Sequence, residues 1–463
     1  MWERQANLDT HAMRGVILLP SMKKPILAVT MVLLLSFGIL AFYKYRTSSA
    51  RVDGPIYLIG LDGASWNLMN PLMKQGKLPN LRKLKENGVS GDLQSAFPAH
   101  SAFLWTTIAT GKTKEKHGIG DFTVKVDKTQ QPSTGNLRRV KAFWNMLSER
   151  NIPVSVVNWW VTWPPEKVKG VMVSDKYRMG KHRQLNMQVT FPPELQKQMP
   201  FPEISKTRAY KEWKQYHLPE LYDVTNDGRI TAFDKALKAY PTYWCQDASV
   251  WDASKYVLKN HPAKVFAVVF RIVDISSHFM WCYLPLDMLE KARKKSKDGT
   301  LTGEDIEHLD KEFAKIIEPV YTYSDIIVGD IMKSAPDNST FIIVSDHGFG
   351  FHRTSYTHTT QAVPPAGIVI LSGGPYKKGA EIKDATIYDI TPTLLYQLRL
   401  PVAKDFDGKP LVDAFQQQYR ADHRLAVIPT WETGPAKTGQ KPIQSETDEE
   451  TLDDLRALGY IQD

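Results

Sequence analysis

A chain of 463 residues is long enough for one large α/β domain or two ordinary ones, and 42% hydrophobic with 24% charged residues excludes wholesale disorder. The formal net charge of +9 favours anionic partners such as phosphate esters or acidic lipid surfaces. No RNP, zinc-finger or basic-helix pattern accompanies that charge, so no nucleic-acid binding is expected.

The first element is "PILAVTMVLLLSFGILAFY", residues 25–43, a 19-residue run without a charge. It is close to the ~20 residues of a spanning helix. It ends in "AFYKYR", a poor cleavage site, so an uncleaved transmembrane anchor is expected, with residues 1–24 as a cytoplasmic segment. The expected partners therefore include a membrane. Lys23 and Lys24 precede the run while Lys44, Arg46 and Arg51 follow it, so the flanking charges do not set its orientation.

From residue 54 to about 418 the pattern is α/β. "GPIYLIGLDGA" predicts a buried strand ending at Asp62, and "LPNLRKLKENG" a helix stopped by Gly88. "SAFLWTTIAT" predicts a helix beginning at Ser101, with the serine as its N-cap. Lys112, Lys114 and Lys116 follow and read as a solvated face. "RVKAFWNMLSERN" predicts a helix and "IPVSVVNWW" a strand. The Pro-, Trp- and Tyr-rich region 166–259 reads as an irregular pocket-shaping insertion, and its "DVTNDGRITAFD" as a turn rather than a calcium loop. Regularity then resumes. "AKVFAVVFRIVD" and "STFIIVSDHG" predict strands separated by a long helix, and "PAGIVILSGGP" a further strand before the helix "TIYDITPTLLYQL". Together these predict an α/β fold with a mostly parallel central sheet and helices on both faces. Residues 419–463 form a polar tail whose run "DEETLDDLRALGY" predicts a short helix, docked or peripheral.

Three strands end in an acid, at Asp62, Asp274 and Asp346, and strand carboxyl ends are where open α/β sheets bind ligands. Histidines accompany two of them: His278 lies four residues after Asp274, His347 is adjacent to Asp346, and His358 follows. With only two cysteines in the chain, a metal site must use carboxylates and imidazoles, which suit Zn²⁺ and also Mn²⁺. Asp62, Asp346 and His347 on one ion, with Asp274, His278 and His358 on another, supply three ligands to each and leave positions open. Two such ions clamp the attacking and leaving oxygens of an in-line displacement, with Ser101 ligating a metal as the nucleophile.

As an ordered set, "IGLDGASW", "FPAHSAFLWTTIATGKTKEKHGI", "VDISSHFMW", "IIVSDHGFG" and "IYDITPTLLYQLRLPVAKDFDGKPL" resemble the alkaline phosphatase superfamily, specifically its type I phosphodiesterase/nucleotide pyrophosphatase branch. The resemblance implies an alkaline-phosphatase-like fold, the same two metal triads, and His358 or His352 as the last ligand. Ser101 stands where that branch usually has threonine and the phosphatases serine. The implied activity is hydrolysis of phosphate esters, with a nucleotide or lipid headgroup as substrate, through a covalent phosphoseryl intermediate. Resemblance to exported enzymes places the catalytic domain on the extracytoplasmic side. A phospho-headgroup transferase, made plausible by the anchor, and a non-catalytic scaffold are the alternatives.

Overall fold

The run "IYLIGL" becomes a central strand because both of its faces are apolar. Tyr57, Ile59 and Leu61 enter one hydrophobic cluster while Ile56 and Leu58 enter another on the opposite face. The computed structural model describes residues 54–215, 234–353, 355–358, 363–434 and 440–461.

The main-sheet strands in chain order are β1 (Ile56–Leu61), β2 (Gly88–Gln94), β3 (Val154–Val157), β4 (Gly170–Val173), β5 (Thr190–Phe191), β6 (Val265–Phe270), β7 (Thr340–Val344), β8 (Gly367–Gly373), β9 (Ala380–Glu381) and β10 (Ala385–Thr386). They lie in the order β9-β2-β8-β7-β1-β6-β3-β4-β5, with β10 also on β2. β1 is parallel to β6 and β7, Leu58 lying opposite Ala267 and Ile342, while β8 runs antiparallel to β2 and β7. The sheet is thus mixed and mostly parallel, with the carboxyl ends of β1, β6 and β7 side by side. The helices that matter below are α1 (Ser101–Thr110), α2 (Asp234–Asn260), α3 (Ile272–Met280), α4 (Gly303–Ser334) and α5 (Asp448–Ala457). Every residue of α1 is buried, so the helix that begins at Ser101 is a core helix.

Several expectations change. No helix among the described residues is long and apolar enough to cross a membrane, and the expected anchor, 25–43, lies outside them. The described structure therefore lends no support to the membrane anchor, the membrane as a partner or the extracytoplasmic placement. The strand "AKVFAVVFRIVD" ends at Phe270, and the chain turns into α3, so Asp274 lies in the first turn of a helix. The turn is fixed by the buried carboxylate of Asp247 on α2, which accepts the Arg271 backbone N–H at 2.8 Å. The strand "IPVSVVNWW" stops at Val157 because Asn158 is left-handed (φ +54) and its side-chain amide donates to the Val269 carbonyl.

The 166–259 region is more regular than expected. It adds β4 and β5 to the sheet edge and supplies most of α2, a 27-residue helix; its "DVTNDGRITAF" stretch lies outside the described residues. Lys112 is not solvated: its ammonium is buried between Asp405 (2.8 Å) and Glu432 (3.0 Å). Cys245 and Cys282 are free thiols.

His117 is fully buried behind α1. The Ile119 N–H donates to its Nδ1, which leaves Nε2–H to donate to the Thr107 hydroxyl at 3.1 Å. Burial, reinforced by the charge of Arg138, lowers its pKa from 6.5 to about 3. Between those values the unfolded chain binds a proton that the native chain refuses, so stability falls as pH drops from 6.5 towards 3. Urea unfolding across this range should show a His117 contribution with a slope approaching ~1.4 kcal/mol per pH unit. His117→Gln should remove that slope; an unchanged slope would contradict a neutral buried imidazole.

Candidate active site

The site is built where β1, β6 and β7 end. On β1, Gly60 leaves room for Trp105 of α1, since a Cβ there would lie 2.3 Å from the indole ring. Trp105 Nε1–H thereby reaches Asp62 Oδ2 at 3.1 Å, and Trp160 Nε1–H donates to the same oxygen at 3.0 Å. With Oδ2 held by two indoles, Oδ1 faces the Ser101 hydroxyl (3.3 Å) and His347 Nε2 (3.4 Å). The next residue, Gly63, takes φ +76, and a Cβ on it would sit 2.7 Å from Asp274 Cα. Glycine is required there because the start of α3 presses against the β1 turn.

Ser101 is not the N-cap of α1. His100 holds that position in extended conformation, and Ser101 is the first helical residue, almost fully buried. Its hydroxyl is used on Asp62 instead of on the helix backbone. His100 itself pairs with Asp121 at 2.9 Å, away from the carboxylate cluster.

After β7, the Ser345 hydroxyl donates to the His347 carbonyl at 2.7 Å, shaping the turn that carries Asp346 and His347. His347 Nδ1 donates to the Gly348 carbonyl, which aims Nε2 at Asp62, at Asp274 Oδ1 (3.7 Å) and at Asp346 Oδ2 (3.8 Å). On α3, Asp274 and His278 are one turn apart, 3.5 Å between Oδ1 and Nε2. His358 Nε2 lies 3.4 Å from Asp274 Oδ1 and 3.0 Å from His278 Nε2. His352 sits instead on a short hairpin strand paired with Ser355, outside this cluster.

All seven residues named from the sequence thus converge. Two groups of ligand atoms are close enough to hold an ion, Asp62 with Asp346 and His347, and Asp274 with His347 and His358. The electrostatics point the same way. Burial, and then the neighbouring Asp62 charge, push the Asp346 carboxyl far above its usual range. Burial disfavours a charged His347, yet Asp346, Asp62 and Asp274 raise it to about 10; burial and His347 hold His358 well below its ordinary value. Both Asp346 oxygens and His347 Nε2 are buried without a hydrogen-bond partner. Orphaned oxygen and nitrogen donors around concentrated negative charge fit divalent cations.

Sequence reading missed three participants. Two are Trp105 and Trp160, since no local signal ties an indole to a carboxylate far along the chain. The third is Tyr460 in the tail, whose hydroxyl donates to Asp274 Oδ2 at 2.9 Å. The tail helix is docked: Leu452 and Leu455 of α5 pack with Ala102, Ile119 and Phe122 beside the start of α1.

The model of the family described as type I phosphodiesterase/nucleotide pyrophosphatase matches residues 56–397. The chain belongs to that family. Its family lies within the alkaline phosphatase superfamily. A curated relative, the 2,3-bisphosphoglycerate-independent phosphoglycerate mutase of Agrobacterium fabrum, is 36% identical over 81 residues. That match spans 16% of this chain and 14% of the mutase's length. Among solved structures, human ectonucleotide pyrophosphatase/phosphodiesterase 5 is similar at 11% identity and a TM-score of 0.46, covering 79% of this chain and 100% of that one. A phosphonate monoester hydrolase from Silicibacter pomeroyi is similar at 14% identity and a TM-score of 0.42, covering 78% and 76%.

For this family member the two indoles carry a specific consequence. Hydrogen bonds that orient a ligating carboxylate typically contribute 10–100-fold in metal affinity or activity. Trp160→Phe should therefore weaken the ion at Asp62 by about 10–100-fold in a chelator competition. Unchanged metal affinity would show that Asp62 needs no such support.

Proposed function

We propose that this chain hydrolyses phosphate esters, with Ser101 as nucleophile and two divalent ions held by Asp62, Asp346 and His347 and by Asp274, His278 and His358. The observation that carries the reading is the Ser101 hydroxyl lying 3.3 Å from Asp62 Oδ1, at the edge of the first triad. The ions, zinc or manganese by donor set, supply Lewis-acid stabilisation of the attacking and leaving oxygens.

The chain's own residues do the rest. The Asp62 carboxylate, fixed by Trp105 and Trp160, holds the Ser101 hydroxyl in place. Ser101 Oγ gives its proton to solvent and forms a bond to phosphorus as the ester P–O bond breaks; the leaving oxygen takes up a proton from solvent. Water then cleaves the phosphoserine and restores the Ser101 O–H, releasing phosphate or a phosphomonoester. The N-terminal end of α1 presents backbone N–H groups to the phosphoryl oxygens. A sulfatase reading is disfavoured because "SAFLW" lacks the C/S-x-P-x-R context.

The test assays metal content and turnover of p-nitrophenyl phosphodiester, phosphomonoester and sulfate ester together. The expected result is two bound ions with turnover of the phosphate esters well above that of the sulfate. Two bound ions with sulfate turned over fastest would reassign the substrate, and no turnover of any ester would overturn the reading.

A further inference from the structure

Tyr460 lies just beyond α5, which the reading above leaves without a role. Its hydroxyl is 2.9 Å from Asp274 Oδ2, 2.9 Å from His278 Nε2 and 3.2 Å from His358 Nε2. The remaining separations in this group are 3.0 Å between the imidazole nitrogens and 3.5 and 3.4 Å from them to Asp274 Oδ1. The phenol, the two imidazole nitrogens and the Asp274 carboxylate therefore face one another at 2.9–3.5 Å, the phenol meeting Oδ2 and the imidazoles Oδ1. A tetrahedral zinc site with ligand distances of about 2.0–2.1 Å has edges of about 3.4 Å. Tyr460 gives its one proton to Asp274 Oδ2, and Asp274 Oδ1 is left buried without a hydrogen-bond partner beside the two imidazoles. A cation at the centre engages all four.

The tail is held so that Tyr460 stays there. Its ring centroid lies 4.4 Å from that of Phe122. Asp448 and Glu450 of α5 pair with Lys176 and Lys181, both at 2.7 Å. Four protein ligands close a tetrahedral zinc site, whereas a catalytic one keeps a position open, so a fourth ligand here has to give way to substrate.

We propose that Tyr460 is a fourth protein ligand of the second metal ion, delivered by the C-terminal helix and displaced when a substrate oxygen takes its position. The proposal rests on the reading that Asp274, His278 and His358 hold that ion. As the oxygen–metal bond forms the phenolic proton leaves to solvent, and it returns when the bond breaks.

The test uses the full chain, its Tyr460→Phe and Tyr460→His variants, and Tyr419→Phe as a control tyrosine in the other core cluster. Loading with Cu²⁺ should give a phenolate-to-copper charge-transfer band in the wild type and in Tyr419→Phe, absent from both Tyr460 variants. With Zn²⁺, one of two ions should be lost to chelator at least ~10-fold more readily in Tyr460→Phe, and retention should recover in Tyr460→His, which restores a ligand. Two ions bound with no band, or equal zinc retention in wild type and Tyr460→Phe, would overturn the role of Tyr460 while leaving the two-metal reading intact. A wild-type chain that binds no metal would overturn both.

Discussion

Ser101→Ala lowers kcat by ~10⁴-fold or more and leaves both metal ions in place. Deleting a nucleophile that works as a unit with its activating groups typically costs at least that much. The geometry makes the substitution clean. Ser101 is the first residue of α1 and does not cap it, so alanine removes a hydroxyl without removing a helix-stabilising hydrogen bond. Alanine also favours the helix. Thermal stability of the variant should stay close to that of the wild type, and metal content should stay at two ions. Equal turnover in the variant would show that the ester is attacked by water directly, and loss of metal would show that Ser101 is chiefly a ligand.

Asp346→Asn should move the metal-free and metal-loaded proteins in opposite directions. In the metal-free chain, the buried Asp346 carboxyl is pushed far up by burial and by Asp62 beside it. Both oxygens lack a hydrogen-bond partner, so asparagine relieves an uncompensated group of nearly the same size. The metal-free variant should therefore unfold at a higher temperature than the metal-free wild type, by about 1–3 kcal/mol of stability. The loaded variant should do the reverse. An ion present at ~1,000 times its dissociation constant contributes about 4 kcal/mol, and the variant forfeits it at the first triad. Metal content should fall from two ions to one, with turnover reduced by roughly 10³-fold or more. Two ions retained, or a metal-free variant less stable than the wild type, would contradict the assignment of Asp346.

Much of this site was legible in the sequence because its residues follow buried strands. "LIGLDG" and "IIVSDHG" are continuous apolar runs closed by an acid, and parallel pairing of β1 with β7 brings those ends together. Asp274 was found for a partly wrong reason: it lies one turn into α3 rather than at a strand end, yet the i, i+4 spacing to His278 works because it is helical. The N-cap assignment of Ser101 failed since serine at a helix start reads alike at the cap and at the next position. Lys112 shows the limit for charged residues. Nothing near it in sequence reveals Asp405 or Glu432, which lie hundreds of residues away and make its burial tolerable. The same holds for Trp160 and Tyr460, whose polar tips find the site only through the tertiary fold.

The most direct test is to quench the metal-loaded enzyme during turnover of a phosphate ester and map phosphorylation by peptide mass spectrometry. A phosphoryl group on Ser101, absent in Ser101→Ala, is the result expected. Turnover with no covalent phosphoryl group, or with one on a different residue, would contradict Ser101 as the nucleophile.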